Sequence, residues 1–586
     1  MNTDTPDIII CQAGFGTADR KIGLFPDAGV DCFELQDMGQ NATEALGAYE
    51  NWKPVFRGPL SRAPGALGSR LVGDFSAWTK PGIYRLVLPG DAGRSWLFPI
   101  HDGVYSGLPR MFLDYVHGNR CGDFSNDQRG PCHLDDGILS KSGRQIDASG
   151  GWHDAGDTRK WMVHSTLPAL ALAVFKGQHN KSWNHFQDPL WQDDQLAEIA
   201  WGVRFILKMQ DPRTGMIYED VGGGGNSRKQ PGMSWWYANH SGCCADNVPN
   251  RFTDNIPGSG DERLVREDYN PIVQYTNITI LLRCAPLLES GDPVLAAQAR
   301  KAAEFCRGFM AAQTADDFHG WTSVRSWRLL AALAAHAGEK EIMECLDGLI
   351  ELHDVRTGFW FNDARRDDYF RGILHSAQPL IALTTWAEAF PSHSRRKEIE
   401  AILRHCLTAY VEPLRATNPF GIMPFGLYSK PATEGDRYRE WNHGLFYRFF
   451  MPALSPQKVN HGLGGHWTSW AHALAYAGQV FGIAGAREAA LDQIRWLLGN
   501  NPLHVSFVNG VGYNQPMPHS RFLGQLPGAT MIGPRGDAKD EFYADTMGRA
   551  DWSTCEYWVT TGANMVMALS ILIPQHIPEA NKLGHS

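Results

Sequence analysis

The chain has 586 residues, 43% hydrophobic and 20% charged, with 54 Lys plus Arg against 63 Asp plus Glu and a net charge of -9. That composition excludes a disordered chain and supplies a large core. The mild acidity excludes the basic stripe of a nucleic-acid binder and the polybasic anchor of a membrane-surface protein, and no run of about 18 apolar residues is present to span a bilayer.

The opening MNTDTPDIII lacks the basic and long apolar regions of a signal peptide. The expected location is therefore the cytoplasm, or the periplasm or exterior if a leader was removed. From there to residue 105, short apolar runs such as DIIICQAG, CFELQ, SRLVGDFSAW and GIYRLVLPG alternate with Gly, Pro and Asp. This spacing predicts a small β-sandwich over 1–105. From residue 106 the period becomes helical. Apolar residues at helical spacing predict helices near 162–176, 194–209, 270–287, 295–313, 325–337, 340–353, 371–390, 395–413, 466–482, 485–498 and 558–573. Long Gly/Pro/Asp loops, 211–268 and 500–556, lie between them, and loops of that length are usually functional. Many helices joined this way predict a closed helical toroid over 106–586. The 20 Trp suit either a core or a sugar cleft, where a flat ring stacks on a pyranose face. The 11 Cys are odd in number and irregularly spaced, which is not a disulfide framework. The vicinal pair Cys243–Cys244 receives no role.

The sharpest local signal is DASGGWHDAGDTRKW, residues 147–161. Asp154 and Asp157 are three apart. On a tight turn their carboxylates point the same way and jointly hold and deprotonate a water. The alternative reading is a helix N-terminus, with Asp154 as its cap and Asp157 in the first turn. Cys121, Cys132, His133 and His153 are a second set. Two thiolates and two imidazoles suit a tetrahedral structural zinc, while buried thiols and a bonded His are the plainer alternative.

GGWHDAGD resembles the catalytic-base motif of glycoside hydrolase family 9. NRCGDFSNDQRGPCHLDDG (119–137) resembles the stretch before that base. LGNNPLHVSFVNGVGYNQPMPHSR (498–521) resembles the family's substrate loop, and DTMGRADWSTCEYWVTTGANMVMAL (545–569) its C-terminal Glu segment. The resemblance covers about residues 100–575. It implies a mainly α fold, an (α/α)6 double-helical barrel preceded by an immunoglobulin-like β-sandwich. It also implies inverting hydrolysis of β-glycosidic bonds, with carboxyls roughly 6.5–9.5 Å apart to leave room for a water. By position Asp157 matches the base, Asp154 its partner on the same water, and Glu556 the acid. The aromatics Trp552, Tyr557 and Trp558 around Glu556 favour a raised carboxyl pKa, as an acid needs. His519 and Arg521 match substrate-hydroxyl ligands, and Trp441, Tyr447 and Trp467 are candidate stacking platforms. Some members carry zinc beside the active site, and His153 occupies the place of its last ligand. Calcium, which other members bind, has no clear acidic loop here.

The resemblance has departures. The family's Asp nine residues before the Glu is replaced by Met547, with Asp545 and Asp551 nearby. Thr561 and Gly562 stand where an aromatic and an Asn usually follow, Asn564 lies two further on, and Ser520 replaces a common His. Glu541 and Asp551 are the reserves for the acid. The expected substrate is an oligosaccharide of β-1,4-linked glucose or a β-glucan, with exo-action preferred because the 211–268 loop would wall off one end of a cleft. An exo-β-D-glucosaminidase is the alternative, with Asp135–Asp136 or Asp545–Asp551 facing the ammonium. A catalytically inactive sugar-binding protein on the same fold is the reading of another class.

Overall fold

The computed structural model describes residues 7–39, 52–63, 65–123, 131–179, 191–222, 225–226, 242–243, 255–260, 262–314, 317–454, 460–520, 526–545 and 552–575. Seven strands come first: β1 Ile22–Phe25, β2 Cys32–Asp37, β3 Lys53–Arg62, β4 Leu71–Asp74, β5 Gly82–Leu88, β6 Gly93–Arg94 and β7 Phe98–Ile100. They pair in the order β1-β4-β3-β2-β5-β6, with β7 also on β5, and every pairing is antiparallel. The ten-residue β3 serves β2 along its first part and β4 along its last three residues. One phenylalanine cluster fills the interior: Phe15 packs edge-on against Phe75 and Phe98, and Phe25 against Phe33.

Among the described residues twelve α-helices of ten residues or more follow: α1 Gly107–Gly118, α2 Leu167–Gln178, α3 Trp191–Lys208, α4 Pro271–Leu288, α5 Pro293–Ala311, α6 Thr322–Ala334, α7 Glu339–Ile350, α8 Gln378–Ala389, α9 Arg396–His405, α10 Gly464–Phe481, α11 Ala486–Leu497 and α12 Val559–Leu572. The even-numbered helices pack side by side, α2 to α4, α6, α8, α10 and α12, and α12 returns to α2. The inner ring therefore closes. Its members are apolar on nearly every face because they face neighbours on all sides. The odd-numbered helices form the outer ring, and α7 and α9 bury one stripe only, whereas α11 is buried over most of its length. Each outer helix pairs with the inner helix before it, except α1, which packs on α12 and completes the sixth hairpin. This is an (α/α)6 barrel.

Eleven of the twelve helices match predicted segments. Helix α1 is the one not anticipated; Gly107, Pro109 and Gly118 mask its period. The segment 395–413 is also not one helix, since α9 ends at His405 and passes through a π turn, Cys406–Val411. Local signals set several starts. Asn270 accepts from the Ile272 N–H and Asp292 from the Leu295 N–H, each before a Pro at the first turn. A cavity of about 870 Å³ runs along the barrel axis towards the C-terminal ends of the inner helices, lined by Leu170, Trp327, Ile381 and Met567 among others. None of the candidate carboxylates lines it, so the candidate chemistry sits at the other end.

The sheet and barrel meet through buried polar contacts. Asp19, 4% exposed, forms an ion pair at 2.7 Å with Arg495 of α11, which also donates to the Tyr105 hydroxyl at 3.1 Å. Burial opposes the Asp19 charge, but Arg495 and Arg487 hold its carboxyl below the ordinary value. Asp19→Ala leaves the buried Arg495 guanidinium with only Glu488 at 3.3 Å and Asp492 at 3.9 Å, and should cost about 3 kcal/mol at pH 7. Because the folded-state pKa is depressed, the wild-type advantage should be complete above the ordinary carboxyl value and shrink as pH falls below it. Calorimetric melts of both proteins at pH 7 and at pH 3 check this.

Candidate active site

The stretch 147–161 is not helical. The alternative in which Asp154 caps a helix is thereby corrected: the next helical turn, Met162–Ser165, has Trp161 at its N-cap and no side-chain cap bond. Residues 154–161 form a tight turn closed by the Asp154 N–H to the Arg159 carbonyl at 2.8 Å. Gly150 and Gly151 enter it at φ 100° and 69°, and a Cβ on Gly151 would lie 2.3 Å from the Phe205 ring. Thr158 holds φ 68°, which a β-branched residue rarely adopts. Its carbonyl accepts from Arg263 at 2.6 Å, and Arg263 is in turn paired with buried Asp136 at 2.7 Å. That anchor holds the strained turn.

The turn sets the two carboxylates in different surroundings. Asp154 is 5% exposed, and its Oδ1 accepts from the Trp161 N–H at 3.3 Å. Burial, and then the charge on Asp157, push its carboxyl well above the usual range. The Asp157 side chain is 28% exposed, enough to meet water, and pairs with the Arg159 guanidinium at 3.0 Å. The Arg159 N–H also donates to Asp157 Oδ1 at 3.2 Å, so both oxygens are held by one residue.

Glu556 lies opposite, in an extended piece between the turn Trp552–Cys555 and α12. Backbone contacts fasten this piece to the Asp loop. The Val559 N–H donates to the Asp154 carbonyl at 2.9 Å, and Ala155 bridges to Trp558. On the other side Glu556 bridges to His519, whose N–H donates to the Cys555 carbonyl at 2.9 Å. Gly156 sits where the three meet: a Cβ there would lie 2.3 Å from the His519 carbonyl oxygen and 3.2 Å from Glu556 Cγ. Glu556 is 6% exposed and accepts from the Trp558 indole N–H at 2.9 Å. Burial, with the charge of Asp157 next, raises its carboxyl well above the usual value.

The sugar-contact candidates divide. His519 is half-buried beside Glu556, and Trp441 is partly exposed. Arg521 lies outside the described residues, as do Met547 and Asp551. Trp467 and Tyr447 require correction. Trp467 is 0% exposed, donates to the Met423 carbonyl and packs on Trp496 in the core, so no sugar can stack on it. Tyr447 is 6% exposed and packed between Trp441 and Phe449. Aromatics before a helix read alike in sequence whether they face a cleft or a core. Asp136 is also unavailable to an ammonium, being locked to Arg263. Glu541 is exposed on a turn. Arg159 and Lys160 were not singled out from sequence, the basic, aromatic stretch TRKW being their only signal, and Trp558 was read only as part of the apolar surround of Glu556, not as its hydrogen-bond donor.

Cys121, Cys132, His133 and His153 converge, all buried, with ligand atoms within 4.8 Å of one another. A tetrahedral zinc site requires about 3.3 Å between two nitrogens and about 3.6 Å between nitrogen and sulfur. His153 Nε2 lies 3.3 Å from His133 Nδ1, Cys132 Sγ lies 3.6 Å from His153 Nε2, and Cys121 Sγ lies 3.9 Å from His133 Nδ1. The donor set and spacing fit a zinc ion. The Lys160 ammonium is 3.2 Å from Cys121 Sγ and donates to the Ala148 carbonyl at 2.5 Å. Burial opposes a thiolate at Cys121, but the hydrogen bond from Cys132 and the Lys160 charge overcome it and hold the thiol well below its usual value. Among the described residues no second such cluster of His, Cys, Asp or Glu occurs.

A closed double ring of helices with three carboxylates gathered by loops at one end defines a barrel-type glycosidase scaffold. A family model described as glycosyl hydrolase family 9 matches residues 105–259 and 434–569. The chain belongs to this family. It is 33% identical over 159 residues, 24% of its length, to a cellodextrinase of Butyrivibrio fibrisolvens, spanning 28% of that protein. The matched stretch covers about a quarter of the first curated relatives. A metagenome-derived family 9 endoglucanase shares the fold at TM-score 0.68 and 18% identity, with 97% of this chain and 98% of that one aligned. A zinc-binding triple mutant of the family 9 endoglucanase J30 aligns at TM-score 0.67 and 20% identity over 96% of this chain and 100% of that one.

Gly156→Ala should keep the fold and lower turnover of a β-glucan about 100-fold, since a Cβ forces the Asp loop from Glu556 and small misplacements carry that penalty. Circular dichroism with initial rates measures both.

Proposed function

We propose that this protein hydrolyses β-1,4-glycosidic bonds of gluco-oligosaccharides or β-glucans with inversion. The observation that carries the reading is the backbone tie between the Asp154–Asp157 turn and the Glu556 strand, which sets a solvent-reaching carboxylate against a buried one. Asp157 is the base: paired with Arg159, it takes a proton from water as that water attacks the anomeric carbon. Asp154 orients the same water from its buried position. Glu556, kept protonated by burial, gives its proton to the leaving oxygen. The sugar departs with the anomeric configuration reversed, and Glu556 and Asp157 exchange protons with solvent to reset.

His519 and Arg521 bind sugar hydroxyls, and Trp441 offers a stacking face. The names of the relatives, a cellodextrinase and endoglucanases, support glucose as the sugar. Zinc held by Cys121, Cys132, His133 and His153 supplies a structural clamp. His153 is the residue directly before Asp154, so the clamp would fix the turn that carries the base.

Asp157→Ala should abolish hydrolysis of cellotetraose while leaving folding and sugar binding intact; activity within tenfold of native would move the base elsewhere. Proton NMR of the first product should show the α-anomer, and a β-anomer appearing first would rule out inversion. For the metal, a native preparation should contain about one zinc per chain by elemental analysis. Cys132→Ser should lose it along with thermal stability. Metal-free native protein would end that assignment.

A further inference from the structure

The acid Glu556 has a partner that neither the base motif nor the substrate loop accounts for. Residues 556–558 are extended, so side chains two apart share a face. Glu556 and Trp558 therefore point the same way, while Tyr557 turns to pack edge-on against Tyr115. The Trp558 indole N–H donates to Glu556 Oε2 at 2.9 Å. An indole N–H only donates, so Oε2 is fixed as an acceptor whenever this bond is made.

The indole is itself held. Its ring lies 4.8 Å from the His461 ring and 5.6 Å, edge-on, from the His164 ring. His461 Nδ1 bonds the Gly462 carbonyl at 2.7 Å, which fixes that nitrogen as the protonated one, and His164 Nδ1 meets the Thr560 hydroxyl at 3.1 Å. The Trp558 N–H on the backbone donates to the Thr530 carbonyl at 3.1 Å. Ring, backbone and polar tip are all specified.

We propose that Trp558, clamped by His461 and His164, is the positioning residue of the acid, occupying Oε2 so that the transferable proton stays on Oε1 for the leaving oxygen. This rests on the reading of Glu556 as the acid. The bond also bears on acidity. The titratable and charged groups around Glu556 are Asp157, Asp154 and Arg159 of the Asp loop and His519 of the bridged segment, and the two clamping histidines are neutral at working pH because burial pushes His461 down to about 4 and His164 well below its usual value. An N–H donor favours the carboxylate, so its loss raises the acid's pKa further.

The test compares Trp558→Phe, which keeps a ring and removes the N–H, with native protein on two substrates. Cellotetraose needs a proton on its leaving oxygen, whereas 2,4-dinitrophenyl β-cellobioside leaves without one. The expected result is a loss of about 10- to 100-fold in kcat on cellotetraose, part of what a general acid contributes. KM should be unchanged, and kcat on the dinitrophenyl substrate should stay within about threefold. The basic limb of the cellotetraose pH profile should move to higher pH. Equal losses on both substrates, or an unmoved limb, would overturn the proposal. His461→Leu, which frees the indole without removing it, should show the same substrate-selective loss to a smaller degree and carries the test if Trp558→Phe does not fold. Glu556→Gln separates the two levels. A selective loss there with none in the Trp558 and His461 variants sinks the clamp alone, while a non-selective loss sinks the acid assignment itself.

Discussion

The site depends on one backbone connection: the Val559 N–H to the Asp154 carbonyl, with the Ala155–Trp558 bridge beside it. These bonds join residues about 400 positions apart in sequence and set the distance between the Asp pair and Glu556. They exist only because the barrel closes. Helix α12 must return to α2, and α1 must cover α12, before the two loops face each other. Burying those peptide groups without partners would be costly, so the connection is specified by the same packing that builds the inner ring. Gly156 is the residue that the closeness of the strands demands.

Much of this was legible in the sequence. The helical period gave eleven of twelve helices because amphipathic and fully apolar stripes both repeat at 3.6 residues. The pairing of Asp154 with Asp157 and the convergence of two Cys and two His followed from the family resemblance, since residue type and spacing alone left the N-cap and buried-thiol alternatives open. What failed was anything that depends on which way a side chain faces. Trp467 and Tyr447 precede or enter packed elements exactly as a cleft aromatic would, yet burial takes them into the core. The N-cap alternative for Asp154 failed for a similar reason: Asp is favoured both at caps and at turns, and only the backbone distinguishes them. Arg159 was missed, and Trp558 was read only as part of the apolar surround of Glu556, because a hydrogen bond to a carboxylate leaves no periodic trace.

Under the proposed mechanism the two carboxylates show how one fold assigns opposite tasks to the same chemistry. Glu556 is enclosed, and desolvation alone disfavours its charge. Asp157 keeps access to water and is held by the Arg159 guanidinium at one oxygen and by the Arg159 backbone N–H at the other. Environment rather than residue type separates acid from base. The Cys121, Cys132, His133 and His153 cluster draws on two sequence stretches, and the proposed zinc would pin the very turn on which Asp154 and Asp157 sit.

The N-terminal sheet belongs to this arrangement as well. Gln12, 4% exposed, donates to the His504 carbonyl at 2.5 Å and accepts from the Tyr513 and Asn514 N–H groups at 2.7 and 3.2 Å. Trp96 stacks on Tyr513 with ring centres 5.0 Å apart. The loop gripped in this way runs on directly to His519, whose backbone bonds Cys555 next to Glu556. A side chain whose amide satisfies three backbone groups of a neighbouring loop is a strong conformational constraint, since each of those groups would otherwise have to find water. The sheet therefore shapes the substrate loop from behind, and the position of His519 is a property of both parts of the chain.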